Sequence, residues 1–405
     1  MQTRAYSVLT HEEIVDLTWN EMQVAIKKRF PNATPEDLKK AHAYAYGGCV
    51  VQDMGYYPFG SRRFSDLVHY VRSGDFIEAM LKESADLNEY AFALGALSHY
   101  AADVHGHPAV NHSVAIMFPK LRARYGQSVT YADDKKSHIR TEFGFDVAQV
   151  AKGRYAPDAY HDFIGFEVSK PLLQKAFLDT YGVKLEDVFG NLDLAIGTYR
   201  RSVSKMIPEL TKAALLTHRA QLQREVKDFN EKKFLYNLTR ASYEKQWGHE
   251  YRRPGFGARF LAFLFKFVPK VGPFKAVAFE TPIPQTEDLY FKSVNETVDF
   301  LRNDLRQSAS PDFKLANLDF DTGKKTRSGE YPLTDEAYAD LLHRLAKDNF
   351  QTASPDLRAA VLDFYSDPNL PNAVKRNGKD WQRTMAELKQ LRNVQNSQTT
   401  AAGGR

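Results

Sequence analysis

The chain reads as an all-α protein: a multi-helix bundle followed by a helical C-terminal extension. Three observations predict this. Apolar residues recur at three- and four-residue intervals through HEEIVDLTWNEMQVAIKKRF, LNEYAFALGALSHYAADV, LDLAIGTYRRSVSKMIPELTKAALLTHRAQLQREVKDF and VNETVDFLRNDLRQ, the period that lines up one helix face. The period-two alternation of a half-buried strand is scarce. Proline and glycine punctuate the chain between the periodic stretches, where they end helices.

Taken in order, His11 opens the first amphipathic helix (THEEIVDLTW), with Thr10 as its N-cap. Asp53 lies in VVQDMGYYPFG, where glycine and proline exclude a regular helix. His69 follows in FSDLVHYVRSGD, on a short helix ending near Gly74. Each has a plain structural role open to it: a cap partner, an Asx-turn, a satisfied core imidazole.

The second periodic stretch is more specific. His99, Asp103 and His107 stand four residues apart in SHYAADVHGHP. Four residues turn through about 400°, so the side chains drift by only about 40° per step along one face. Imidazole, carboxylate, imidazole is a metal-ligand set that suits zinc. Pro108 disfavours continued helix, so His107 is expected where the helix ends or kinks, facing a different ion from His99. His138 and Glu142 repeat the spacing in SHIRTEFGFDV; a pair of this kind can also be a simple helix-face contact. Nine of the 12 histidines fall at or before His161, which points to one site assembled from several helices.

Composition sets the frame. At 405 residues the chain exceeds a typical single domain, and its net charge of +5 suits an anionic lipid surface or a nucleic acid without requiring either. With Cys49 alone no intrachain disulfide is possible, and Cys49 is expected to be a buried small hydrophobe. The stretch 254–279 interleaves Phe256, Phe260, Phe263, Phe265, Phe267, Phe274 and Phe279 with Arg259, Lys266, Lys270 and Lys275. Its uncharged runs fall far short of the roughly 18 residues a membrane span needs. It is either an interfacial hairpin or core packing. From about 310 a polar loop precedes further helices and carries no recognisable chemistry. The tail 393–405, rich in Gln, Ser, Thr, Ala and Gly, reads as disordered.

Together these residues resemble the zinc-dependent phospholipase C family, most closely its glycosylphosphatidylinositol-specific phospholipase D-like branch. The matching elements are the early histidine of YSVLTHEEI, the loop aspartate of GCVVQDMGYYP, His69, the H-x3-D-x3-H of His99, Asp103 and His107, and the H-x3-[ED]-F-G-x-D-V run from His138 to Val147. Small secreted phospholipases C place the second helix histidine six residues after the aspartate; four favours the other branch. The resemblance covers residues 6–150 well and fades beyond about 235, which makes 6–235 the catalytic domain and 236–392 the extension.

The resemblance implies up to three zinc ions. Asp53, His69, His99 and Asp103 would hold one, and His107, His138 and Glu142 a second. The third would fall to His11, the shared Asp103, and the backbone amine and carbonyl of the mature first residue, which the family position places at Tyr6. The preceding T-R-A carries a small residue at the cleavage position, so residues 1–5 are expected to be the end of a signal peptide or an added leader, and the protein secreted or periplasmic.

Such a cluster suits phosphodiester hydrolysis. Asp53 is the candidate general base, with a metal-ligand role as its alternative. His105 and His112 are extra imidazoles able to protonate a leaving group. Tyr56, Tyr57, Phe59 and Phe64 either form an aromatic head-group pocket or simply pack. Three functional classes follow: a phospholipase of C or D type at a phospholipid or membrane surface; a zinc nuclease on the related scaffold, whose later pair is usually histidine with aspartate where this chain has Glu142; and a noncatalytic lipid-binding or interaction protein with structural zinc. No protein partner is evident.

Overall fold

The computed structural model describes residues 6–151, 165–207, 211, 279–310 and 312–402. In chain order these form α1 (Val8–Arg29), α2 (Pro35–Gly48), a 3-10 turn (Val51–Tyr56), α3 (Arg62–Tyr70), α4 (Ser73–Glu83), α5 (Leu87–Met117), α6 (Pro119–Tyr125), α7 (Lys135–Ala151), α8 (Lys170–Tyr181), α9 (Leu192–Arg201), α10 (Pro284–Gln307), α11 (Pro332–Ala346), α12 (Pro355–Phe364) and α13 (Gly378–Ala402). Among the described residues the strands are one two-residue antiparallel pair, β1 (Leu318–Asp319) and β2 (Lys324–Lys325), with Leu318 opposite Lys325. The fold is all-α, as expected. Among these residues no helix is long and apolar enough to cross a membrane.

Helix α5 is the axis. It is buried along most of its length, as a helix apolar on every side must be, and α1, α2, α4, α7 and α10 pack around it. Asp86 starts it by accepting from Glu89 N at 2.9 Å. Helix α2 starts on a capping box between Thr34 and Asp37, with Pro35 in the first turn. The two helices meet backbone to backbone: a Cβ on Gly48 would lie 2.1 Å from Phe92 O, and one on Gly95 would lie 2.1 Å from Ala45 O. Only glycine permits that approach. One apolar core runs from Tyr6 to Leu391, so α10 and the segment after it belong to the same body as α1 to α9.

Several local expectations change. Helix α1 begins at Val8, and Thr10 lies inside its first turn instead of capping it. Buried Asp146 of α7 accepts from Leu9 N at 3.0 Å and Thr10 Oγ1 at 2.6 Å, so a carboxylate from another helix does the capping. Helix α3 ends at Tyr70, short of Gly74, because Arg72 takes a left-handed φ of 50° and α4 starts at Ser73. Pro108 does not end α5, which continues to Met117 within the packed core. Helix α13 runs through most of the tail assigned to disorder, since no glycine or proline interrupts it before Gly403. Cys49 is buried and free, as expected. Residues 1–5, the aromatic and basic stretch up to residue 278, and the boundary at 235 lie outside the described residues.

Candidate metal centre

The elements around α5 bring the predicted side chains to one place. Helix α1 supplies His11, the 3-10 turn Asp53, α3 His69, α5 His99, Asp103 and His107, and α7 His138 and Glu142; all are buried. Three groups of donor atoms result: His11, His99 and Asp103; Asp53, His69 and His99; and His107, His138 and Glu142. Asp103 lies at the hub. Its Oδ2 is 3.1 Å from His99 Nε2, 3.4 Å from His69 Nε2 and 3.6 Å from His107 Nε2, while Oδ1 is 3.5 Å from His11 Nε2. Asp53 Oδ1 lies 3.4 Å from His69 Nε2, and Glu142 Oε1 2.6 Å from His138 Nδ1.

The outer nitrogens of two rings are tied down. His99 Nδ1 donates to Cys49 O at 2.9 Å and His69 Nδ1 to Ser65 O at 2.7 Å. Each bond fixes the tautomer and turns Nε2 inward, the second contact that metal-binding histidines characteristically make. His138 Nε2 donates to Asn111 Oδ1 at 2.8 Å. On the inner side, His11, Asp53, Asp103, His107 and Glu142 present buried nitrogens and oxygens that make no hydrogen bond, as do Nε2 of His69 and His99.

The electrostatics are frustrated. Burial, with His99 alongside, drives His11 down to about 4. Burial also works against a charged His69, yet Asp103 and Asp53 outweigh it and hold the ring at about 9. Burial pushes Glu142 well above the carboxylate range, helped by Asp53, Asp103 and Asp321. Among the described residues Asp53, Asp103 and Glu142 pair with histidines alone, with no lysine or arginine to balance them. A desolvated cluster of this composition calls for cations.

Residues 10–191 match the zinc dependent phospholipase C family. That stretch of the chain is similar to the family. No curated protein and no solved structure matches the chain. The metal of the family is zinc, and the residues present fit it: imidazole and carboxylate donors, unsatisfied inner atoms, and neighbouring donors at the 3.1–3.6 Å spacing seen around Asp103. Two donors about 2.0–2.1 Å from one tetrahedral ion lie about 3.3 Å apart.

The remaining predicted residues divide. Tyr6 is buried beside α5, its ring edge-on to His11 at 6.2 Å and filling the space a Cβ on Gly106 would take. Phe64 is wholly buried against Phe177 and Phe189, and Tyr57 packs on Tyr199; both are core, which removes them from a head-group pocket. Tyr56 is half-buried with its ring 6.0 Å from His69, and Phe59 is 40% exposed. His105 rests on Phe300 and His112 bonds Gln127 O; neither joins the three groups.

Two participants escaped the sequence reading. Asn111 bonds His138, and Asp321, from the polar loop to which no chemistry was assigned, brings Oδ1 to 3.4 Å from His107 Nε2. Asn111 lies one period-four step beyond His107 and so was within reach of the pattern. Asp321 belongs to no periodic motif.

Proposed function

We propose that this protein is a secreted or periplasmic zinc-dependent phospholipase that hydrolyses the phosphodiester of a phospholipid head group. The observation that carries this reading is the sharing of donors: His99 serves two groups and Asp103 faces four imidazoles. Zinc held there supplies concentrated positive charge for a phosphodiester and makes nearby water more acidic. Asp53 sits at one end of the cluster with both oxygens free of hydrogen bonds, so it can accept a proton from water or serve as a ligand. Cys49 O and Ser65 O hold His99 and His69 in orientation. The buried surroundings keep bulk water from screening these charges.

Location and processing rest on Tyr6. The Tyr6 ring lies 6.2 Å from that of His11, and a mature chain starting at Tyr6 would offer its terminal amine to the His11 group. A protein starting at Tyr6 is then expected to bind more zinc than one carrying residues 1–5; equal zinc by elemental analysis overturns the processing site. Activity is tested on phosphatidylcholine, phosphatidylinositol and single-stranded DNA, with and without chelator. Diacylglycerol as product marks C-type cleavage and phosphatidic acid D-type. Turnover of DNA alone replaces the phospholipase with a nuclease, and no turnover of any substrate by zinc-loaded protein overturns the enzyme.

A further inference from the structure

We infer that Asp321, supplied by the C-terminal extension, is a further ligand of the metal held at His107. The inference rests on the zinc reading of the centre. It starts from a strap, residues 315–331, laid across α3, α4 and α5. Tyr100 donates to Ala316 O at 2.9 Å, Ser73 Oγ to Leu318 O at 2.6 Å, and Phe320 N to His69 O at 3.3 Å. The Phe320 ring sits 5.0 Å from that of His69 and 6.1 Å from that of His99. Two candidate ligands are thus roofed by the strap.

The next residue points inward. Asp321 is wholly buried, and its Oδ2 accepts from Tyr70 at 2.8 Å and from Tyr331. Two tyrosine hydroxyls on one oxygen fix the carboxylate plane and present Oδ1 to His107 Nε2 at 3.4 Å. That separation falls within the spacing of the other donors around Asp103 and matches two ligands of one zinc. The backbone is registered as well: Asp321 O accepts from Asn111 Nδ2 at 2.8 Å, and Asn111 Oδ1 accepts from His138. The strap therefore meets two members of the His107, His138 and Glu142 group, one directly and one through Asn111. Asp321 stands outside the mutually close set of His107, His138 and Glu142 and approaches it through His107, so on the ion held at His107 it would be a fourth protein donor, the number of a closed zinc site.

The test compares full-length wild type with Asp321→Asn, which keeps the side-chain shape and an acceptor for the tyrosines but loses the charge. Zinc content after dialysis is measured by elemental analysis, and the visible spectrum of the cobalt(II)-loaded protein reports the ligand field. The variant is expected to lose about one zinc, with affinity at that site down by about 100-fold or more, and to change the cobalt spectrum. Tyr331→Phe should keep its zinc. If wild type binds neither metal, the zinc reading and this inference fall together. If wild type binds both and the folded variant matches it in zinc content and spectrum, only the Asp321 assignment falls. Should Asp321→Asn fail to fold, Asp321→Glu is read the same way: the displaced oxygen must alter the cobalt spectrum, and an unchanged spectrum overturns the assignment.

Discussion

Replacing Asp103 with asparagine tests the shared-carboxylate arrangement most directly. The two oxygens face different partners, Oδ1 toward His11 and Oδ2 toward His99, His69 and His107. Asparagine keeps the shape and one oxygen but removes the charge that more than one ion would share. Among the described residues Glu142 pairs with His138 and belongs to one donor group, with His107 and His138, so Glu142→Gln removes charge from one ion. Suppose each affected ion is weakened about 100-fold, the upper range for disturbing a metal shell. At a zinc concentration well above Kd, each then withdraws about 2.7 kcal/mol of binding-linked stability. Two ions together withdraw about 5 kcal/mol, the low end of what holds a domain folded. Asp103→Asn should therefore melt close to chelator-treated wild type, and Glu142→Gln between that and the holo protein. Elemental analysis and thermal melting with and without chelator measure both quantities. Equal zinc loss in the two variants, or a wild type whose melting ignores chelator, would refute the reasoning.

Other outcomes follow from the same structure. Gly95→Ala places a methyl 2.1 Å from Ala45 O, so α2 and α5 must part; we expect a loss of about 3 kcal/mol or more in denaturant midpoints, with zinc lost as well because the bond from His99 to Cys49 O spans that junction. His105→Ala and His112→Ala should leave zinc content unchanged, since neither ring joins the three groups; a drop in dialysed protein would place them at the centre. Burial raises Asp304 from 3.8 to about 6. Its folded-state value then exceeds the unfolded one, so its contribution is fully present below about pH 4 and is lost as pH rises through about 6. Asp304→Asn should thus raise stability at pH 7, by about 1 kcal/mol once partial exposure is allowed for, and the gain should vanish near pH 4; an equal gain at both pH values would contradict the burial account.

What could be read from sequence was what helix geometry alone decides. A period of four puts His99, Asp103 and His107 on one face whatever surrounds them, and the same holds for His138 and Glu142. The all-α class followed from the same periodicity. Contacts made across the fold were not legible. Thr10 looks like a cap until Asp146 arrives from α7 to satisfy the start of α1. Phe64 looks like a pocket aromatic until α8 and the turn after it bring Phe177 and Phe189 against it. Asp321 is one acid in a polar turn, and only docking through Ser73, Tyr100 and Asn111 gives it a place.

Pro108 shows how a local rule can be broken to a purpose that sequence alone does not reveal. A proline in α5 has no N–H to offer Val104 O, and the helix continues because the packed core holds it. The strap docks at that turn. Gly323, with a left-handed φ of 67°, presses so close that a Cβ would lie 2.6 Å from Val104 O and 3.0 Å from Pro108 Cγ. Any side chain would be strained in conformation and crowded in space. Asp321 precedes this glycine by two residues and His107 precedes the proline by one, so seating Gly323 on the turn brings the carboxylate to the imidazole. The residue expected to end or kink this helix instead marks where the extension is registered against it.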